Sequence, residues 1–310
     1  MNKFRLWLTL ALGVSYCASL SAQQDTALEA QLRGLTALHR GKVAIFAKDL
    51  NSGRMVAIQA DTPVPTASVI KLTVLFEALK QVQAGKAHFE DRLRLTKDNQ
   101  VEGSGVLSFF DTPQTLTLKD VLTMMIIVSD NTATNMAIDK LGLKKIDDRI
   151  QWLGLKDTWL YRKVSKPASG PMPADQKQFG LGKTTAREMA AVMERFATCN
   201  LNAPGETAPP TPKDQKLCQV AMHMLRNQFY RNSIPRYLET IDTTEGESKI
   251  ANKTGALDHV RNDVGVVDAK NGPVIISEFT WDNQDTSWTP DNSAEVLMAK
   301  AAKIIVDRWQ

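Results

Sequence analysis

The sequence predicts an α/β protein of the α+β type, with one antiparallel sheet formed by the two ends of the chain and an all-helical block between them. Three observations lead there. Alternating apolar segments occur only near the ends, helical spacing dominates from Ser68 to about Arg226, and the links between successive strands are short. Parallel neighbours would need crossovers of a dozen residues or more, so short links mean antiparallel pairing.

At 310 residues and 43% hydrophobic composition, the chain can bury the core of one large domain or of two interleaved ones. Residues 1–22 have a basic start (Lys3, Arg5), the apolar run "LWLTLALGV" and the small-residue end "SLSA". That is how a secretory signal peptide is built, with cleavage expected near Ala22 and a periplasmic or secreted product. The run is too short to span a bilayer, as is every later apolar stretch, so no stable membrane insertion is expected. Lipid attachment at Cys17 is disfavoured by bulky Tyr16 before it.

"TALEAQLRGLTALHR" then reads as a helix, and "KVAIFAKDL" and "RMVAIQA", joined by "NSG", as a hairpin. The helical stretches "SVIKLTVLFEALKQVQAG", "LKDVLTMMIIVS", "NTATNMAIDKLG", "KKIDDRIQWLG" and "TTAREMAAVMERFAT" follow. Strand patterns return at "SKIANKTG", "DVGVVDAK" and "GPVIISEFTW", and "SAEVLMAKAAKIIVDRW" is an amphipathic terminal helix. The expected division is a sheet domain from 23–61 and 227–310 around an all-helical domain from 62–226. The stretch 161–183, "YRKVSKPASGPMPADQKQFGLGK", has neither periodicity, and loops of this length in compact domains are usually functional or mobile.

Without the leader, 36 basic residues face 34 acidic ones, which is no nucleic-acid footprint. Cys199 and Cys218 flank a Pro-rich segment. In an oxidising compartment a disulfide stapling it is expected, the alternative being two unrelated buried thiols. His39, His88, His223 and His259 lack ligand spacing, so neither a metal nor another cofactor is expected.

Ser68 stands three residues before Lys71 in "SVIK", so on a helix the amine can reach the hydroxyl. Roughly one S-x-x-K is expected by chance in a chain this long. "SDN" (Ser129, Asp130, Asn131) and "KTG" (Lys253, Thr254, Gly255) follow in order. Each is rare by composition, and together the three form the signature of class A β-lactamases and penicillin-binding proteins.

With these motifs and this element order, the sequence resembles the class A β-lactamase family over most of its length after the leader. The resemblance implies a five-stranded antiparallel sheet, terminal helices and an all-helical domain with the serine at a helix start. It implies Ser68 as nucleophile, Lys71 as its base, Ser129 as proton carrier to the leaving nitrogen and Lys253 as a positive charge. The backbone N–H groups of Ser68 and Ala256 match the oxyanion hole. Lys253, Thr254, Gly255 and Arg261 would face a substrate carboxylate and Asn131 an amide side chain, while Asp130 would tie its turn. The alternative for Arg261 is an ordinary edge-strand cation. The substrate would be a β-lactam or a peptidoglycan stem peptide, and the protein a monomer.

The chain departs from the family at one place. The family's deacylating glutamate, followed by proline and then an asparagine, should fall just after Leu160-Tyr161-Arg162, where the chain reads "KVSKPASGPMP", with Lys166 before Pro167. Asp175 is the only carboxylate in the loop, and Glu188 lies on the next helix. The departure resembles class A-like penicillin-binding proteins that act on D-alanyl-D-alanine peptides. The expectation is therefore an exported serine acyl hydrolase, D,D-peptidase-like or slow on β-lactams. Its alternatives are a full β-lactamase using Asp175 or an unrecognised base, and a non-enzymatic penicillin-binding sensor.

Overall fold

The computed structural model describes residues 23–168, 172–238 and 248–310. The leader expected over residues 1–22 and the Ser169-Gly170-Pro171 part of the Pro-rich loop lie outside the described residues. Strand β1 (Gln23–Gln24) and helix α1 (Thr26–Thr36) are followed by β2 (Lys42–Asp49), β3 (Arg54–Ile58) and β4 (Val64–Pro65). A 3-10 turn, Ala67–Ile70, runs into α2 (Lys71–Gln83). Next come β5 (Arg92–Leu95), β6 (Gln114–Thr117), α3 (Leu118–Ile127), α4 (Asn131–Leu141) and α5 (Leu143–Trp152). The chain continues through β7 (Trp159–Leu160), α6 (Gln176–Phe179), β8 (Gly182–Thr184), α7 (Ala186–Ala197) and α8 (Pro212–Arg226). It closes with β9 (Ile250–Leu257), β10 (Val260–Ala269), β11 (Gly272–Trp281) and α9 (Ser293–Trp309).

The fold is α+β. The main sheet runs β1-β3-β2-β11-β10-β9, so strands from the two ends of the chain meet where β2 pairs with β11. Its five long strands are antiparallel, as expected. The sixth is a correction: β1 lies parallel to β3, pairing Gln23 with Arg54 and Gln24 with Met55, and two residues are too few to carry an alternation signal. The segment 62–226 likewise departs from an all-helical block. It holds β4 to β8, strands of two to four residues in one three-stranded and one two-stranded sheet.

Both faces of the main sheet are covered, so its strands are nearly continuously apolar. Along β11, Val274 and Ile276 pack into a core with Leu28 and Leu32 of α1 and Ile305 and Trp309 of α9. Ile275 and Phe279 face a second core with α2, α7 and α8. This is the period of two expected of a strand. Helix α7 leans on the sheet, with Glu194 paired to Lys48 at 2.7 Å and Arg187 over the Phe46 ring at 4.7 Å.

Helix α2 is buried on nearly all sides, including the polar residues Lys71, Glu77 and Gln81. Glu77 is neutralised by Arg149 at 2.8 Å and accepts from Gln81 at 2.9 Å, which accounts for a charge at that depth. Among the described residues, no carboxylate forms an ion pair with Lys71. Capping boxes start α3 (Thr117, Asp120) and α8 (Thr211, Asp214, with Pro212 in the first turn). Cys199 and Cys218 are disulfide-bonded over a sequence separation of 19. By loop-closure entropy such a bond contributes about 3 kcal/mol.

Candidate active site

Ser68 lies in the 3-10 turn that feeds α2, where residues three apart eclipse, so Lys71 sits directly one turn on. The turn is anchored from both sides. Thr66 N–H donates to Gly182 O at 3.0 Å, and Asn262 on β10 donates to Pro65 O at 2.9 Å and Thr66 O at 3.2 Å. Ala67, immediately before the serine, has φ +43°, a left-handed conformation unfavourable for alanine that the surrounding contacts hold.

Gly255 explains how β9 reaches this turn. A Cβ there would stand 2.8 Å from Thr66 O and 3.0 Å from the amide nitrogens of Ser68 and Val69, so only glycine allows the approach. β9 is the last strand of the sheet, so its outer edge lies against the serine turn. Ala256 follows at once, bringing its backbone to the same edge.

Ser129 comes from the turn between α3 and α4 and also has a left-handed φ of +54°. Asp130 builds that turn. Its carboxylate accepts from Ala133 N at 2.8 Å, capping α4, and from Val106 N at 2.6 Å and Leu107 N at 2.8 Å. The segment 101–107 is thereby fixed beside Asn131, whose Nδ2 donates to Glu102 O at 3.2 Å.

These elements converge on one oxygen. Lys71 Nζ donates to Ser129 Oγ at 3.1 Å, to Ser129 O at 2.7 Å and to Asn131 Oδ1 at 3.2 Å. From the opposite side, Lys253 Nζ donates to Ser129 Oγ at 3.0 Å and to Thr254 O at 2.7 Å. Both lysines are completely buried, whereas Ser68 is partly exposed. Burial holds the Lys71 amine well below the ordinary lysine range, helped by repulsion from Lys253 and opposed by Asp130. Burial also pulls Lys253 down to about 7, with Asp263 pushing the other way. An amine with little affinity for a proton beside a serine turn is what general-base activation of a hydroxyl requires.

Arg261 is not brought to this cluster. Lys253 pairs with Val264, three residues beyond Arg261, so the pleat sends the two side chains to opposite faces of the sheet. The guanidinium donates to Leu257 O, Val260 O and Ser287 O, lies 4.4 Å from the Trp288 ring and faces Glu295 at 3.4 Å. The strand alternation that contradicts the substrate-facing expectation is present in "RNDVGVV", but the outcome depends on which face the strand buries.

The loop after Leu160 is pinned where the family's glutamate would stand. Asn135, four residues and one turn after Asn131, makes two bonds to Val164: its Nδ2 donates to Val164 O at 3.0 Å and its Oδ1 accepts from Val164 N at 2.8 Å. Asp175 is occupied on both oxygens, by the Tyr161 hydroxyl at 3.1 Å and by Lys183 at 2.7 Å, and the Lys183 bond holds its carboxyl below the usual carboxylate range. Glu188 accepts from Asp157 N and the Thr158 hydroxyl, a structural use. Asn135 and Asn262 escape sequence reasoning because a lone Asn carries no periodic signal; only the spacing in "SDNTATN" hints at the first. Among the described residues, no three His, Cys, Asp or Glu side chains are grouped to hold a metal ion, and no helix is long and apolar enough to cross a membrane.

An α+β fold holding a serine turn, a buried lysine pair and a shared hydroxyl between a helical block and a sheet edge defines a serine hydrolase of the class A β-lactamase type. A profile of the beta-lactamase enzyme family matches residues 27–309, and the chain belongs to that family. It is 26% identical to the beta-lactamase regulatory protein BlaB of Streptomyces cacaoi, covering 90% of this chain and 97% of that one. It is 23% identical to a beta-lactamase of Streptomyces fradiae, covering 90% and 85%. Among solved structures, a beta-lactamase from Sphaerobacter thermophilus superposes with a TM-score of 0.75 at 25% identity over 91% of this chain and 97% of that one. A point mutant of PBP-A, solved as its acyl-enzyme complex with penicillin G, has the same fold, with a TM-score of 0.75 at 22% identity over 93% and 98%.

Proposed function

We propose that this chain is an exported serine acyl hydrolase that forms an acyl-enzyme on Ser68 with β-lactams and D-alanyl-D-alanine peptides, acting as a D,D-peptidase with slow β-lactam turnover. The observation that carries this reading is Ser129 Oγ held between Lys71 and Lys253 beside the Ser68 turn. In the first step Ser68 Oγ attacks the carbonyl carbon and its proton passes to neutral Lys71. The N–H groups of Ser68 and Ala256 receive the developing oxyanion. When the C–N bond breaks, Lys71 returns the proton through Ser129 Oγ to the leaving nitrogen, and an ester remains on Ser68.

Lys253 holds the substrate carboxylate, Asn131 its amide side chain, and Gly255 allows the close approach of the strand edge. Slow turnover rests on the loop after Leu160. Its one carboxylate, Asp175, is engaged by Lys183 and Tyr161, so this loop offers water no free carboxylate base. Loss of such a base slows hydrolysis by about 10²–10⁴-fold. With a peptide the leaving D-alanine departs and opens the ester to water, whereas a β-lactam's leaving nitrogen stays tethered.

The similarity to a protein named as a regulator favours a second reading, an acylated sensor without turnover. One experiment divides them. Mature protein is incubated with a chromogenic cephalosporin, a fluorescent penicillin and a D-alanyl-D-alanine peptide, and the Ser68 adduct is followed by mass. A burst with a long-lived adduct and D-alanine release supports the peptidase. A stable adduct without peptide cleavage supports the sensor, and rapid cephalosporin turnover overturns both in favour of a full β-lactamase.

A further inference from the structure

Behind Lys253, on the far face of the sheet, lie three polar side chains that acylation does not use: Asn252, Asp263 and Glu278. All three are fully buried. Asp263 on β10 stands opposite Glu278 on β11, so two carboxyl groups share one face as a cross-strand pair. Asp263 is well supplied with donors. Asn252 Nδ2 reaches its two oxygens at 2.9 and 3.1 Å, and Ile234 N–H donates at 3.1 Å. Glu278 has no hydrogen-bond partner on either oxygen among the described residues.

Two carboxylates this close and this deep do not both ionise. The charge goes to the group with donors and the proton to the group without them, so Asp263 is the anion and Glu278 the neutral acid. Asp263 is also tied to both chain neighbours of Lys253: it pairs with Thr254 across the strands and is bonded by Asn252. Lys253 leaves the opposite face between them, toward Ser129.

We propose that Asp263 is a positioning residue for Lys253: its carboxylate clamps residues 252–254 and supplies, through the strand, a negative charge that favours the protonated form of the Lys253 amine, while Glu278 stays neutral. This rests on the reading of Lys253 as a working cation of the site. Among the described residues, other charged groups also surround the pair. From the helical side Lys253 meets Ser129 and Lys71, with Asp130 acting on Lys71. Beside Asp263, Arg231 acts from the segment before the Ile234–Tyr237 turn, bonded to Ser248 at 2.8 Å. From α9, Glu295 faces Arg261. Burial raises Asp263 to about 6, and Lys253 and Arg231 are the charges that oppose the rise. Burial together with the Asp263 charge raises Glu278 well above the usual carboxylate range.

The test is an NMR titration of the full mature chain carrying 13C-labelled lysine, with the Lys253 resonance assigned by its loss in Lys253→Met. In Asp263→Asn the Lys253 midpoint falls by about one pH unit. The alkaline limb of Ser68 labelling by a fluorescent penicillin moves down with it. In Glu278→Gln neither moves. A Lys253 midpoint that stays put in Asp263→Asn overturns the proposal, as does an equal shift in Glu278→Gln. Should Asp263→Asn not fold, the reciprocal measurement decides: in Lys253→Met the Asp263 carboxyl, followed by 13C-labelled aspartate, titrates higher than in wild type, and an unchanged midpoint overturns the coupling. The titration needs no substrate, so failure of the wild type to label would count against the acylation reading while the clamp is judged on its own.

Discussion

Lys71 and Lys253 hold the same atom, Ser129 Oγ, at 3.1 and 3.0 Å, from the start of a helix on one side and from a sheet strand on the other. In the proposed mechanism this hydroxyl is the proton conduit, and it can pass a proton only while at least one of the two amines is neutral. Burial secures that condition for Lys71, and Lys253 sits near the midpoint of its titration at neutral pH.

Removal of the proposed nucleophile gives the plainest outcome. Ser68→Ala folds, since the side chain is small and partly exposed, and takes up no mass on incubation with penicillin. A retained adduct would place the nucleophile elsewhere.

The proposed base is tested by Lys71→Ala, which is expected to lower the acylation rate by about 10²–10⁴-fold. Single-turnover labelling of variant and wild type at matched penicillin concentrations measures it. A loss of less than about tenfold would assign proton removal to another group.

Asp175→Asn separates slow turnover from a relocated base. Because both carboxylate oxygens are occupied, the lifetime of the penicilloyl adduct changes by no more than about twofold, whereas a lost general base would lengthen it by about 10²-fold or more. Time-resolved mass measurement of the adduct distinguishes the two outcomes.

Gly255→Ala forces the strand edge away from the Ser68 turn, because the added carbon would meet backbone atoms at 2.8 to 3.0 Å. The expected cost is about 1–3 kcal/mol in denaturant unfolding together with slower acylation. Unchanged stability and unchanged labelling would show that the turn yields freely.

Glu278 makes a pH prediction with a definite sign. Its carboxyl titrates well above the usual range when folded, so the folded chain keeps a proton that the unfolded chain loses above about pH 4.3. Its contribution is therefore complete below that value and is lost as pH rises. Glu278→Gln gains on the wild type by at most about 1.4 kcal/mol per pH unit above it. Denaturant unfolding at pH 4 and pH 8 measures the difference. A gain confined to pH 4 would reverse the assignment.

The candidate catalytic groups are legible in the sequence because each sits in a contiguous motif: the spacing of Ser68 and Lys71, "SDN" and "KTG" all survive as local strings. The five long strands are legible from apolar alternation and short links. What escapes the sequence depends on contacts between distant segments. β1 is too short to carry a pattern, and the single helix expected from Ser68 begins instead as a 3-10 turn, pinned by Asn262 and Gly182. For Arg261 the strand is right and the facing wrong, since its direction is set by the Trp288 and Glu295 side chains that receive it. Asp263 and Glu278 read as ordinary charges until the register sets them opposite one another.

The contact between Gly255 and the Ser68 amide also governs how this enzyme can vary over generations. With room for only a hydrogen atom at position 255, the strand edge acts as a gauge block that sets how far the Ser68 turn stands from β9. A lineage that enlarges one side must retreat the other in the same step, so new substrate preferences are reached more readily by changing the surrounding loops than by changing this junction.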